Sequence, residues 1–138
     1  MSPLPAAPVT LAVGDALPQI TVGPLSRTDF VRYAGAGGDF NPIHHDEPFA
    51  HSAGLPEVFG MGMLHAGILG ARLARWVGPE QLRRFQVRFV GQVWPGDVLT
   101  FRGEVEQVAD GIAHLALTVT RQDGEPVLRA SAAAAVAG

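Results

Sequence analysis

The strongest constraint on the fold lies in the C-terminal half of the chain, where alternating apolar segments are separated by tight-turn dipeptides. Asp110-Gly111 and Asp123-Gly124 are typical of two-residue β-hairpin turns, because glycine readily adopts the left-handed backbone conformation that such turns require. The dipeptides separate predicted strands over residues 97–108, 112–121 and 126–136. Three strands of similar length joined by hairpins predict an antiparallel meander.

A single long helix is predicted before the meander, over residues 60–77. Its large apolar residues recur at three- and four-residue steps: Leu64, Ile68, Leu69, Leu73, Trp76 and Val77. Further predicted elements are strands over 17–22 and 85–93 and short helices after Ser26 and over 47–53. The apolar side of the first short helix is predicted to consist of Phe30, Val31 and Ala34. Residues 1–12 form an extended lead-in and 13–138 one domain. The order of elements predicts an α+β fold in which one helix packs on an antiparallel sheet.

Composition excludes several classes of protein. The 138 residues are 47% hydrophobic, which is typical of a folded single domain, and a net charge of −3 disfavours a nucleic-acid binder. There is no cysteine, so neither a disulfide framework nor a thiolate nucleophile is available. The chain has no signal-peptide pattern and no apolar run of membrane-spanning length. We therefore expect a cytoplasmic protein without a membrane or nucleic-acid partner.

The segment most informative about chemistry is Gly38 to Asp46, with the sequence G-D-F-N-P-I-H-H-D. Its Asn-Pro step disfavours a helix and predicts a loop. Asp39 and His44 lie five residues apart across Pro42, so the loop can bring both side chains to one point. A carboxylate and an imidazole that share a water are suited to proton transfer at neutral pH.

Two other interpretations of this segment remain open from the residues alone. In one, Asp39, Asn41 and His44 serve only turn and capping geometry. In the other, His44, His45 and Asp46 bind a metal, although no spacing typical of a metal-ligand pair is present. A serine nucleophile is disfavoured because the chain has no G-x-S-x-G segment.

The same segment matches the pattern G-D-x-N-P-x-H-x-D and resembles the MaoC-like dehydratases, which include the R-specific enoyl-CoA hydratases. Three further motifs stand in the family's order: V-G-D-x-L-P at 13–18, G-M-L at 62–64, and R-F-x-x-x-V-x-P-G-D at 88–97. The resemblance extends over residues 13–136.

The resemblance implies a dimeric hot-dog fold, an antiparallel sheet wrapped around a long helix. It implies interconversion of trans-2-enoyl and (R)-3-hydroxyacyl thioesters of coenzyme A or acyl-carrier protein, without metal or organic cofactor. Asp39 and His44 would be the acid/base pair, and Asn41 would shape the site. The backbone amide of Gly62 would bind the thioester oxygen.

The substrate pocket is expected to be narrow and apolar. Its candidate lining residues are Phe40, Phe49, Phe59, Met61, Met63 and Leu64. The alternative for each is a place in the core, and for Leu64 the core is the preferred interpretation. Two positions depart from the family's pattern. Met61 stands where many relatives have histidine, and Gly67 stands where some hydratases have serine. Neither position is the acid or the base, so the departures bear on substrate preference.

Two other functions compete with that of a hydratase. Many hot-dog thioesterases carry an acidic residue on or beside the central helix, and residues 60–77 contain none. A non-catalytic hot-dog subunit that stabilises an active partner is disfavoured by the intact set of Asp39, Asn41 and His44. The sequence leaves open the acyl chain, the carrier, and whether the dimer is a homodimer or a heterodimer.

Overall fold

The computed structural model describes residues 2–138. Its helices are α1 (Arg27–Gly37), α2 (Glu47–Ser52) and α3 (Gly62–Val77), with short 3-10 turns at Pro42–His44 and Pro79–Gln81. Its strands are β1 (Ile20–Val22), β2 (Leu82–Phe89), β3 (Leu99–Ala109), β4 (Ile112–Thr120) and β5 (Pro126–Ala135). The five strands form one antiparallel sheet in the order β1-β3-β4-β5-β2. This is the predicted α+β hot-dog arrangement in a single domain.

The hairpin turns formed where the dipeptides predicted them. Asp110 and Gly111 both have positive φ, 53° and 73°, which is the signature of a type I′ turn. Gly124 in the second turn has a φ of 85°. The meander of β3, β4 and β5 is therefore confirmed, and each of its strands lies within two residues of its predicted bounds.

Each of the two outer strands pairs with a strand that is distant from it in the sequence. β2 pairs with β5 and β1 with β3, so β1 and β2 are the edges of the sheet. β1 is shorter than the predicted 17–22 because its pairing shifts by one residue between the Ala16–Glu104 bridge and Ile20–Phe101. Pro18, which has no N–H to donate, lies at this shift.

Helix α3 packs its apolar side on the sheet through Leu69, Leu73 and Val77, which are fully buried. Two glycines of α3 lie beneath phenylalanines of β2. A Cβ built on Gly62 would lie 2.6 Å from Cε1 of Phe89, and one on Gly70 would lie 3.2 Å from Cε2 of Phe85. The eight-residue step from Gly62 to Gly70 spans about 12 Å along the helix, and the four-residue step from Phe85 to Phe89 spans about 13 Å along the strand. Because the two spacings match, both contacts form together.

Three predicted details are wrong. Helix α3 begins at Gly62 rather than at 60, because Gly60 donates its N–H to the Val93 carbonyl at 2.8 Å. β2 covers 82–89 rather than 85–93, since the amides of Val90 and Gly91 both donate to the Val127 carbonyl and end the regular pairing. Val31, expected on the apolar side of α1, is 57% exposed.

The helix starts follow their sequence signals. Ser26 and Asp29 form a capping box at the start of α1, and α1 ends at Gly38, whose φ is 75°. The N-terminal segment has no helix or strand between residues 2 and 12, and its Val9 carbonyl accepts the Ala137 amide at 2.8 Å. Met1 of the predicted lead-in lies outside the described residues. No helix within residues 2–138 has the length and hydropathy to cross a membrane.

Candidate active site

The loop after α1 brings Asp39 and His44 together. Oδ2 of Asp39 lies 3.3 Å from Nε2 of His44. Asn41 shapes the turn between them, because its side-chain oxygen accepts the Ile43 amide at 3.1 Å and starts the 3-10 turn. Pro42 occupies the first position of that turn, where its missing N–H costs nothing. The polar segment therefore folds into the compact loop that its spacing predicted.

The other ring nitrogen of His44 defines its tautomer. His44 is only 7% exposed, and its Nδ1 lies 2.6 Å from the carbonyl oxygen of Phe59. A carbonyl can only accept, so Nδ1 carries a proton and donates it. In the neutral ring Nε2 is then unprotonated and faces Asp39, whose side chain is 45% exposed. The pair has a fixed imidazole and a carboxylate that solvent and substrate can reach.

The segment that holds His44 is itself held by the connection between β2 and β3. The Phe59 amide donates to the Ile43 carbonyl at 3.3 Å, and the Phe59 ring packs edge-on against His44 with centroids 4.9 Å apart. The next residue, Gly60, is bonded to Val93. Beyond Val93, buried Asp97 accepts the Trp94 amide at 2.8 Å. The P-G-D turn thus supports the position of the loop that contains Asp39 and His44.

A cavity of about 490 Å³ opens beside the pair and extends to the start of α3. Met61, the N-cap residue of α3, makes no side-chain capping bond. The N–H groups of Gly62 and Met63, in the first turn of the helix, have no acceptor within the helix. Four predicted site residues line this cavity together with Asp39 and His44: Phe59, Met61, Gly62 and Met63.

The remaining predicted lining residues lie elsewhere. Phe40 is 66% exposed and, with Phe30 and Val31, lines a separate apolar cavity of about 320 Å³ that also reaches His44. Phe49 is exposed on α2, and Leu64 lies in a groove with α1. These three side chains are not among those that line the cavity at Asp39.

Sequence reasoning missed six of the twelve residues that line this cavity, among them two aromatic side chains. Phe89 lines it from the end of β2, and His65 lines it from α3. Burial lowers the pKa of His65 to about 4, so its ring is neutral at pH 7. The sequence contains one indication that His65 is buried. It lies four residues before Leu69 and eight before Leu73, a spacing that places all three on one face of the helix.

The potential metal ligands of the loop are not assembled. Within residues 2–138 no group of three or more His, Asp or Glu side chains is arranged to hold an ion. Asp46 accepts the Phe49 amide at 3.1 Å and caps α2, which begins at Glu47 as predicted.

Comparison with known proteins decides the family. The sequence profile described as "MaoC like domain" matches residues 8–124, most of the chain. The chain belongs to the MaoC-like dehydratase family. Its fold and motif order agree with that membership, and the family's hydratases and dehydratases define the kind of chemistry to expect.

Individual relatives of this MaoC-like chain come from fungi and bacteria. It is 36% identical over 108 residues to the fatty acid synthase subunit beta of Aspergillus oryzae, covering 75% of this chain but 5% of that protein. It is 32% identical over 101 residues to the 3-oxo-4,17-pregnadiene-20-carboxyl-CoA hydratase beta subunit of Mycobacterium tuberculosis, covering 72% of this chain and 78% of that one. Among solved structures, R-hydratase PhaJ1 from Pseudomonas aeruginosa superposes with a TM-score of 0.79 at 27% identity, covering 93% of this chain and 84% of that one.

Proposed function

We propose that this MaoC-like protein interconverts trans-2-enoyl and (R)-3-hydroxyacyl thioesters, carried on coenzyme A or acyl-carrier protein. The observation that carries the proposal is the 3.3 Å pairing of His44 Nε2 with Asp39 at the mouth of a cavity. The hydrogen bond from Nδ1 to Phe59 leaves Nε2 as the nitrogen that exchanges a proton. The similarity to an R-hydratase adds the class of substrate and the R configuration.

In the hydration direction, Asp39 and His44 together bind the attacking water. The water oxygen forms a bond to C3 while one of its protons passes to the pair. Electrons of the C2–C3 double bond move toward the thioester carbonyl, and C2 then receives a proton from the pair. Dehydration is the reverse, in which C2 loses a proton and the C3 hydroxyl leaves as water. The two residues exchange protons as a coupled unit.

The first turn of α3 supplies the third requirement, a donor for the charge that develops on the thioester oxygen. The Gly62 amide is free of an intrahelical acceptor, and the positive end of the helix dipole lies at this position. Amides fixed in a folded backbone stabilise a developing oxyanion without reorganisation during the reaction. With acid, base and oxyanion donor supplied by the chain, the proposed reaction needs no metal or organic cofactor.

The second candidate function is a subunit of a heteromeric hydratase. It is favoured by the similarity to a protein named as a hydratase beta subunit. In a heteromeric hydratase the partner would be a different hot-dog chain, and in a homomeric one it would be a second copy of this chain. The unpaired edge of β2 could pair with either partner, because an unpaired strand edge is commonly covered by another chain. We expect a light-scattering mass of at least two chains at micromolar concentration, and a mass of one chain with full activity would exclude the dimer.

One assay separates these functions. Loss of the ultraviolet absorbance of the enoyl thioester is followed with crotonyl-CoA and longer enoyl-CoA substrates, with the protein alone and after mixing with candidate hot-dog partners. Activity of the pure protein that survives EDTA treatment and gives the R product supports the homomeric enzyme. Activity only after mixing, which persists when Asp39 is changed to Asn, would assign catalysis to the partner.

A further inference from the structure

His65 is a polar side chain in an unusual position for the middle of a buried helix face. It is 2% exposed, and it lines the same cavity as Asp39 and His44. Within the part of the chain that the structure describes, neither Nδ1 nor Nε2 of His65 has a hydrogen-bond partner. In His44, by contrast, Nδ1 donates to the Phe59 carbonyl and Nε2 faces the Asp39 carboxylate at 3.3 Å.

If the His65 ring only fills space, burying its two nitrogens without hydrogen-bond partners lowers the stability of the fold. A neutral histidine has one N–H to donate and one lone pair to accept with, and both lose water on burial. Leucine would fill the space without that cost. Buried polar groups without partners are rare in native proteins, and one that faces a cavity is placed to bind a ligand or an ordered water there.

One aromatic ring packs against His65. Phe89 packs edge-on to His65, with centroids 6.2 Å apart and ring planes at 88°. The same ring occupies the space above the α-carbon of Gly62. Phe89 is 48% exposed and is the last residue of β2, so within this chain its ring has room to rotate. Rotation of this one side chain would free space beside both Gly62 and the ring of His65.

We propose that His65 is a substrate-binding residue that hydrogen-bonds an oxygen atom in the acyl group of the thioester after the Phe89 ring moves aside. This inference rests on the proposed hydratase function. There the thioester oxygen is assigned to the Gly62 amide and the C3 hydroxyl to Asp39 and His44. His65 would therefore hydrogen-bond a different oxygen, on a carbon of the acyl chain beyond C3.

The substrate class that follows is enoyl thioesters with a keto or hydroxyl group along the acyl chain, rather than plain alkyl chains. A site built to hydrogen-bond a polar group discriminates against the analogue that lacks it, because the buried partner then stays unpaired. His65 would therefore set specificity without taking part in proton transfer.

The first test compares trans-2-octenoyl-CoA with its 5-oxo, 6-oxo and 7-oxo counterparts. We expect kcat/KM of the wild type to favour at least one oxo substrate by tenfold or more. His65→Leu should remove that preference by lowering kcat/KM for the oxo substrate, and His65→Gln, which keeps a donor and an acceptor, should retain part of it. The matched control is His114→Leu, at an exposed position on β4, which should leave the preference unchanged.

An unchanged ratio of oxo to alkyl kcat/KM in His65→Leu would overturn the inference, and would mean that the ring is hydrated or only packs. The second test does not need turnover. Nitrogen-15 spectra of the imidazoles are recorded with saturated oxo-octanoyl-CoA thioesters and with octanoyl-CoA. A shift of the His65 nitrogens with an oxo ligand alone supports the inference, and no difference contradicts it. If the wild type hydrates no enoyl thioester, with or without partners, the proposed function fails separately from this result.

Discussion

The two walls of the cavity differ in how far their polar groups are satisfied. The loop wall, defined by Asp39, His44 and Phe59, is held by internal contacts, because Nδ1 of His44 bonds the Phe59 carbonyl and Nε2 faces the Asp39 carboxylate. The helix wall, defined by Gly62, Met63 and His65, has uncapped amides and an imidazole without partners in the described residues. A bonded wall is preorganised before substrate arrives, whereas an unbonded wall gains its partners from the substrate.

The largest effect is expected from the loop wall. Asp39→Asn and His44→Asn should each lower turnover by about 10²–10⁴-fold, because each removes a positioned acid/base group. The double variant should lose much less than the product of the two losses, since the pair acts as a unit. The measurement is the hydration rate at saturating enoyl thioester.

The choice of Asn at position 44 separates catalysis from folding. Its side-chain amide can still donate toward the Phe59 carbonyl, while the group corresponding to Nε2 is lost. Thermal melts of His44→Asn and Asp39→Asn should stay close to the wild type. His44→Ala should melt lower, because it leaves a cavity and an unpaired carbonyl at a buried position. Near-wild-type turnover in either Asn variant would leave the loop wall with a purely structural role.

The helix wall should respond to crowding. Gly62→Val should lower kcat/KM by roughly tenfold to a hundredfold, because small displacements of the reacting group are costly. It should also lower the melting temperature, since the new side chain meets the Phe89 ring. Adding Phe89→Ala should restore the melting temperature but not the activity. The control is Gly67→Ala, whose Cβ has no neighbour within 4 Å. Equal losses in Gly67→Ala and Gly62→Val would remove the special role of Gly62.

The unpartnered histidine should make stability depend on pH. Burial lowers the pKa of His65 from 6.5 to about 4. As pH falls below 6.5, the unfolded chain takes up a proton at this residue before the folded chain does. The free energy of unfolding should therefore fall by about 3 kcal/mol between pH 7 and pH 4 on account of His65.

Urea denaturation of wild type and His65→Leu at several pH values measures this contribution. The variant should lack that part of the decline and should be at least as stable as the wild type at pH 7. The exposed-histidine control, His114→Leu, should follow the wild-type curve. Identical pH dependence in wild type and His65→Leu would show that the ring is solvated, and the contrast between the two walls would then weaken.

The smallest effect is expected just beyond the loop wall. Asp46→Asn should change turnover by less than about threefold, because asparagine caps a helix about as well as aspartate. Steady-state rates and thermal melts are the measurements. A loss comparable to that of Asp39→Asn would extend the proton-handling group to Asp46 and would contradict its role as the cap of α2.

Features controlled by neighbouring residues were predictable from sequence. Asp110-Gly111 determines its turn through backbone conformation, Ser26 and Asp29 start α1, and the step from Asp39 to His44 spans a single capped turn. The resemblance to a family added the roles of these residues and the hot-dog fold. Turn, capping and periodicity patterns predicted the helices and strands. The order of the family's motifs predicted how they are arranged.

The remaining features depend on contacts between distant segments. The pairing of β2 with β5 is set by the whole sheet, and the end of β2 depends on the Val127 carbonyl. The position of Phe89 above Gly62 follows from how α3 lies on the sheet. His65 was overlooked because its helical spacing predicts burial but not the absence of a partner.

The match between two phenylalanines of β2 and two glycines of α3 restricts the length changes that this family member can tolerate. A one-residue insertion or deletion between Phe85 and Phe89 would place one ring on the opposite side of the strand, because successive side chains alternate. The helix could then no longer dock against both rings, and the wall beside Gly62 would lose its cover. The connections before α3 and after β2 lie outside this match. Variation in chain length among functional relatives should therefore accumulate there and be absent from residues 85–89.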